Sequence, residues 1–369
     1  MLSSINAANG IARLAGCRGA GLVPRAAWSA TRAGVAELAA GGRTYLDMSV
    51  NANGSLSGRV VTVLGGTGFF GCHLAQELLA RGARLRLVSR HPQKAWRIRP
   101  LGNLGQMQSI PLDVIRTKDL GRVLAGSDAV INLMGAFSGN LDALQGRGLG
   151  RIVTAAKDAG AAQFVHVSAI GADASSPVAY ARTKAEGEVA VLSAFPEATI
   201  VRPSILFADD DNFLMMFGRL ISQFPVLPVF GPQARIQPLF VDDAAEGVAN
   251  ALLLPEAQGR TYEIAGPEVI TMLELNQRIA AAQCRKRSFI ELPDAISSAI
   301  ASMPLAPISR DQWALLKAGN LADPSQPGLA ELGVTPRPLS LFLERWMVRF
   351  RKNGRFNEGS TMPAPGAKF

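Results

Sequence analysis

The spacing of apolar positions switches between two periods along the chain, and the switching begins near residue 59. Val60-Val61-Thr62-Val63-Leu64 is a short β-branched run that predicts a strand over 59–64. Leu74, Leu78 and Leu79 then fall at helical spacing and predict a helix over about 70–81. The alternation recurs, with strands expected at 85–88, 108–112, 129–133, 163–167 and 198–202, the last closed by Pro203. Helices are expected over about 114–125, 141–159 and 178–193. Strand and helix in strict alternation predict an α/β fold with a doubly wound parallel sheet over 58–203. After Pro203 the pattern loosens, because Pro225, Pro228, Gly231, Pro232 and Pro238 cut the chain into short pieces. Helices at 242–254 and 271–283 and a strand at 261–264 suggest a smaller lobe over 204–300, interleaved with the sheet and set over its carboxyl edge.

The first strand runs into Gly65-Gly66-Thr67-Gly68-Phe69-Phe70-Gly71. Gly65 permits a tight turn, Gly68 lets a pyrophosphate approach the backbone, and Gly71 lets the helix lie close on the strand. The spacing GxxGxxG departs from the commoner GxGxxG, but its strand–turn–helix setting is that of a Rossmann-type dinucleotide site. An NAD site usually ends its second strand on Asp or Glu, which holds the ribose 2′-OH. Here the strand ends Val88-Ser89-Arg90, so a guanidinium and a hydroxyl stand where a 2′-phosphate would lie, favouring NADP(H) over NAD(H). Asp113 is placed either to bond the adenine edge or to cap the segment that follows. Thr67, Phe69, Phe70, Val114, Leu133, Gly135 and Pro203 complete the expected cofactor contacts.

Ser168 follows the fifth strand, and Tyr180-Ala181-Arg182-Thr183-Lys184 follows it at helical spacing. Four residues apart, Tyr180 and Lys184 share a helix face. The lysine charge is expected to lower the phenol's pKa, so that Tyr180 exchanges a proton with a carbonyl or alcohol oxygen polarised by Ser168. The same three residues can instead simply grip the nicotinamide ribose.

Charge and composition add a location. The net charge is +9, and residues 1–36 hold four arginines with no Asp or Glu. Ile5, Ile11, Leu14 and Leu22 give that segment a loose amphipathic spacing, as in an organellar targeting segment covering about 1–50; a bacterial N-terminal extension is the alternative. The region 301–369 ends in a basic tail with Arg345, Arg349, Arg351, Lys352, Arg355 and Lys368 against Glu344 and Glu358, suited to an acidic subunit or membrane surface. No nucleic-acid motif accompanies this charge. Three cysteines without CxxC spacing argue for a reducing compartment, and three scattered histidines offer no metal-ligand spacing.

Taken together, Gly65–Gly71, Ser168 and Tyr180–Lys184 resemble an extended (atypical) short-chain dehydrogenase/reductase. Four longer stretches narrow the resemblance: Arg99–Gln106, Val130–Gly135, His166–Ala172 and Phe195–Ile200. They are similar to the NADPH-holding accessory subunit of respiratory complex I, the NADH:ubiquinone oxidoreductase, over about residues 58–350. Arg99–Gln106 is the most discriminating, since nothing in dehydrogenase chemistry requires it. The resemblance implies a tightly held NADPH in a structural role outside the electron path, without independent turnover. It implies other complex I subunits as partners near the quinone-site junction, on the matrix side of the mitochondrial inner membrane or the cytoplasmic side in bacteria. One departure is Ala208, where related chains more often have glycine after the Phe. The alternative is a free-standing NADP-dependent reductase or epimerase acting on a small carbonyl compound.

Overall fold

A computed structural model describes residues 55–301 and 309–354. The expected targeting segment, residues 302–308 of the C-terminal region, and the tail beyond 354 lie outside the described residues. The first half alternates β1 (Val60–Leu64), α1 (Phe69–Ala80), β2 (Arg84–Ser89), β3 (Met107–Pro111), α2 (Leu120–Leu124), β4 (Ala129–Asn132), α3 (Leu141–Gln145), α4 (Leu149–Asp158), β5 (Gln163–Val167), α5 (Ala179–Ala194) and β6 (Thr199–Pro203). The second half contains β7 (Leu206–Phe207), α6 (Phe213–Gln223), β8 (Val226–Val229), β9 (Arg235–Ile236), β10 (Leu239–Phe240), α7 (Val241–Ala251) and β11 (Thr261–Ile264). It continues with β12 (Ile270–Thr271), α8 (Met272–Ala282), β13 (Ser288–Glu291), α9 (Asp294–Ala301), α10 (Arg310–Ala318) and α11 (Ser340–Met347).

Seven strands form one parallel sheet in the order β11-β6-β5-β4-β1-β2-β3. The strand order reverses between β1 and β4, which opens a crevice at their carboxyl ends. Interior parallel strands are covered on both faces, which is why β4 is buried along its whole length and reads as an apolar run. Side-chain alternation divides β1 between two cores. Val61 and Val63 join α1 and α7 on one face, whereas Leu64 joins Val130, Leu149, Ile152 and Phe164 on the other. A third core belongs to the later elements: Leu214, Ile221, Leu275 and Ile279 meet Leu339, Leu343 and Met347 of the α11 region.

Two helices differ from expectation. The helix anticipated over 141–159 is two, α3 and α4, separated at Gly146–Gly148. The Gly146 amide bonds back to Leu141 and Asp142, closing α3, and a Cβ on Gly148 would strike the Ala143 backbone. The helix anticipated over 114–125 is regular only across α2. Asp113 is the reason: its carboxylate accepts from the Ile115 amide at 3.0 Å and its carbonyl accepts from Arg116 and Thr117, folding a separate turn. The strands β7, β9, β10 and β12 are two residues each, too short to carry a period.

Candidate nucleotide-binding site

Every candidate strand-end residue reaches the carboxyl edge of the sheet. Gly65 leaves β1 at φ +82°, a left-handed conformation, and its amide donates to the Val88 carbonyl at 2.9 Å. A Cβ on Gly71 would lie 2.7 Å from the Gly65 carbonyl oxygen, so α1 can approach the turn only with glycine there. Gly68 differs. A Cβ there would meet a single atom among the described residues, the Gly65 carbonyl oxygen at 3.3 Å, a tight approach that the turn meets by giving a few tenths of an ångström. Gly68 caps α1 without a side-chain hydrogen bond, and the first-turn amides of the helix are free to hold an anion. Phe69 and Phe70 pack their rings against the later elements' core, so they can offer a cofactor their backbone more than their rings.

Thr67 and Ser89 tie the glycine turn to the end of β2 through a 2.6 Å hydrogen bond, and Ser89 Oγ also accepts from the His91 amide at 3.1 Å. Arg90 is exposed beside them and makes no ion pair among the described residues. Asp113 commits one carboxylate oxygen to its own turn, and Val114 is buried next to it. The Leu133 amide donates to the Leu64 carbonyl at 3.0 Å, and the Pro203 carbonyl accepts from Ile170 at 3.1 Å.

Ser168 extends β5, and its buried hydroxyl finds no hydrogen-bond partner among the described residues. Lys184 is 3% exposed; its ammonium donates to the Val167 carbonyl at 3.1 Å and approaches that of Met134 at 3.5 Å. Gly135 leaves room for it, since a Cβ there would sit 3.2 Å from the ammonium nitrogen. Burial pushes Lys184 down to about 8, with the Glu188 carboxylate opposing. The Tyr180 ring stacks on Phe137 at 4.5 Å, and burial pushes its phenol up to about 12. The expected lowering by Lys184 is therefore corrected: the ammonium is committed to backbone carbonyls, and burial decides the direction.

These residues fit an adenine dinucleotide. A glycine turn, uncapped amides on α1, a cation ending β2 and a buried hydroxyl after β5 without a partner among the described residues share one sheet edge. Residues 65–215 match the NAD(P)H-binding family. The chain is 34% identical over 220 residues to the mitochondrial NADH dehydrogenase [ubiquinone] 1 alpha subcomplex subunit 9 of Dictyostelium discoideum, a match covering 58% of this chain and 61% of that protein. It is 30% identical over 330 residues to the subunit of the same name from Arabidopsis thaliana, covering 84% of this chain and 82% of that one. The chain belongs to the subunit 9 family. A Staphylococcus aureus nucleoside-diphosphate-sugar epimerase shares the fold at TM-score 0.62 and 18% identity, covering 77% of this chain and 99% of that one. No helix among the described residues of this subunit 9 family member is long and apolar enough to cross a membrane.

Several groups at the site escape sequence reasoning. A Cβ on Gly66 would fall 2.8 Å from the tip of the Leu87 side chain and 3.2 Å from the Val63 carbonyl oxygen, so a larger residue would displace Leu87; the doubled glycine was its only signal. Asn132 and His166 form a buried pair behind Ser168, with the Asn132 amide donating to His166 Nδ1 at 3.0 Å. Burial, aided by the Lys184 charge, drives His166 well below its ordinary pKa, so the ring is neutral. His73 on α1 lies 2.6 Å from an Asp242 oxygen and 3.3 Å from one of Asp210, joining the cofactor helix to α7 and to the loop after β7.

Burial disfavours the charged form of His73, but the Asp242 hydrogen bond and charge, helped by Asp210, outweigh it and raise the imidazole's pKa. A raised folded-state value gives stabilisation that is complete below the unfolded value of about 6.5 and lost as pH rises through the folded value. Asp210 also pairs with Arg97 at 3.2 Å, which moderates the contribution. His73→Asn should therefore flatten the fall in stability that wild type shows as pH rises above about 6.5. Urea midpoints below and above that pH test this; identical slopes in the variant and wild type would rule the contribution out.

Proposed function

We propose that this chain is an accessory subunit of mitochondrial NADH:ubiquinone oxidoreductase that holds NADPH as a fixed structural element and does not turn it over. One observation carries the second half of that reading. Lys184, the cation placed to lower the Tyr180 phenol, donates instead to the Val167 carbonyl, and burial pushes that phenol up to about 12. A proton donor or acceptor works best with a pKa near the ambient pH, and no charge among the described residues draws that of Tyr180 toward it. The trio Ser168, Tyr180 and Lys184 then serves to grip the nicotinamide ribose. Arg90 and Ser89 would hold a 2′-phosphate, which is the support for NADPH over NADH.

Membership of the subunit 9 family supports other subunits of the oxidoreductase as partners. The proposed location is peripheral, on the matrix side. Arg345 and Lys352 are exposed on the C-terminal region, where they can meet an anionic lipid or protein surface, while Arg349, also exposed, pairs with Asp209 and Arg351 donates to the Ala282 carbonyl.

The test is to solubilise native membranes gently, resolve complexes by size, and identify the nucleotide released on denaturation. Wild type and Tyr180→Phe should migrate with the large oxidoreductase in equal share, and both should release NADPH. Migration as a small soluble species, with a reductase activity that Tyr180→Phe abolishes, would overturn the reading.

A further inference from the structure

Arg99–Gln106 is the stretch that nucleotide chemistry leaves unexplained, and half of it has a clear internal use. The Gln106 side chain donates to the Leu79 and Ala83 carbonyls, both at 3.0 Å, and accepts from the Asn103 amide at 2.9 Å. Its backbone carbonyl accepts from Leu85 at 2.7 Å, and Gly105 turns the chain at φ +77°. Ala95 and Ile98 anchor the preceding short 3-10 turns in the core. The segment is thus fixed to the end of α1 and the start of β2.

What the fixed segment presents is apolar and cationic. Leu104 is 106% exposed, Trp96 65% and Leu101 52%. Residues 90–112 contain no acid, while Arg90, Lys94, Arg97 and Arg99 are all present. Arg97 is answered by Asp210 and lies 5.5 Å from the Trp96 ring centroid; Lys94 and Arg99 have no acidic partner among the described residues. Beside Leu104, at the edge strand β3, a cleft of about 410 Å3 is bordered by Arg99, Asn103, Met107 and Ser109.

We propose that Pro92–Gln106 is a docking surface for an acidic segment of a neighbouring subunit, one that places a leucine-sized side chain against Leu104 and a carboxylate against Arg99. This rests on the accessory-subunit reading above. Tryptophan and arginine dominate interface energetics, and a contact surface already rigid loses little entropy on binding. The charges of Lys94 and Arg99, unanswered among the described residues, select an acidic partner. The cleft favours a protein segment over a lipid surface, because a bilayer does not direct a single side chain into a recess.

The experiment uses the full chain in native membranes. A photo-activated benzoylphenylalanine at position 104 should cross-link to one subunit of the oxidoreductase, within a segment containing Asp or Glu. Leu104→Glu and Arg99→Glu should each lower the incorporated share on the order of tenfold, and Leu104→Met should not. Nucleotide content and melting of the free variants should match wild type, since none of these side chains serves the fold or the cradle. Arg99→Glu should recover when the cross-linked acid is changed to Arg. Wild type that fails to co-migrate sinks the subunit reading and this surface with it. Wild type that co-migrates while Leu104→Glu does so equally, or a cross-link to lipid alone, overturns the surface and leaves the subunit reading intact.

Discussion

Gly68→Val should empty the nucleotide site while leaving the free chain folded. The backbone at Gly68 is extended, at φ −75° and ψ 177°, a conformation valine adopts readily. Among the described residues its Cβ would meet only the Gly65 carbonyl oxygen, at 3.3 Å, so the turn need give by no more than a few tenths of an ångström. The stability of the nucleotide-free chain should therefore change by no more than about 1 kcal/mol. A pyrophosphate, however, must approach this backbone closely, and a branched side chain would occupy its path. Wild type should gain about 2.7 kcal/mol from nucleotide at a hundredfold excess over Kd, and the variant almost nothing. Melting with and without NADPH reads this directly; an equal upward shift in the variant would place the cradle elsewhere. Gly71→Ala is the contrasting change. Its Cβ would lie 2.7 Å from Gly65 and Gly66 backbone atoms, so it should destabilise the chain whether or not nucleotide is added.

Arg202→Leu should give the largest loss of intrinsic stability, about 3–5 kcal/mol. The Arg202 guanidinium on β6 grips both Glu188 oxygens, at 2.9 and 2.6 Å, and reaches Glu263 at 3.1 Å. Glu188 and Glu263 side chains are only 8% and 9% exposed, so removing the arginine strands two carboxylates in a poorly solvated place. Urea unfolding of the variant against wild type at neutral pH checks the size. A loss under about 1 kcal/mol would mean that water reaches the cluster. The effect should extend to the site, because Glu188 lies one turn from Lys184 on α5 and favours its charged form.

The Rossmann-type sheet was legible in the sequence because its strands are buried on both faces. Val60–Leu64 and Gln163–Val167 leave no period but their own apolar, β-branched content, and each lies within a residue of the expected limits. Gly146–Gly148 was not legible as a break, because the steric demand that splits α3 from α4 comes from Asp142 and Ala143 in the folded turn. Asp113 had two readings in sequence, and the local turn has taken at least one of its oxygens. Tyr180 shows where spacing stops being informative. YxxxK puts two side chains on one helix face, but Lys184 finds backbone carbonyls nearby, and that depends on how β4 and β5 end. The His73 latch joins residues 169 apart in the chain, a pairing no local pattern announces.

β11 completes the sheet beside β6, yet about 60 residues of other structure intervene between the two strands. Until that stretch has been made and folded back, β6 has an open edge, and edges of this kind pair with whatever strand is at hand. This pairing can form only once residues 261–264 have been made, and until then the chain carries an aggregation-prone margin. A chaperone that shields β6 during synthesis or delivery would act on this one edge, and Arg202, waiting there for Glu263, marks the moment at which the shield can leave.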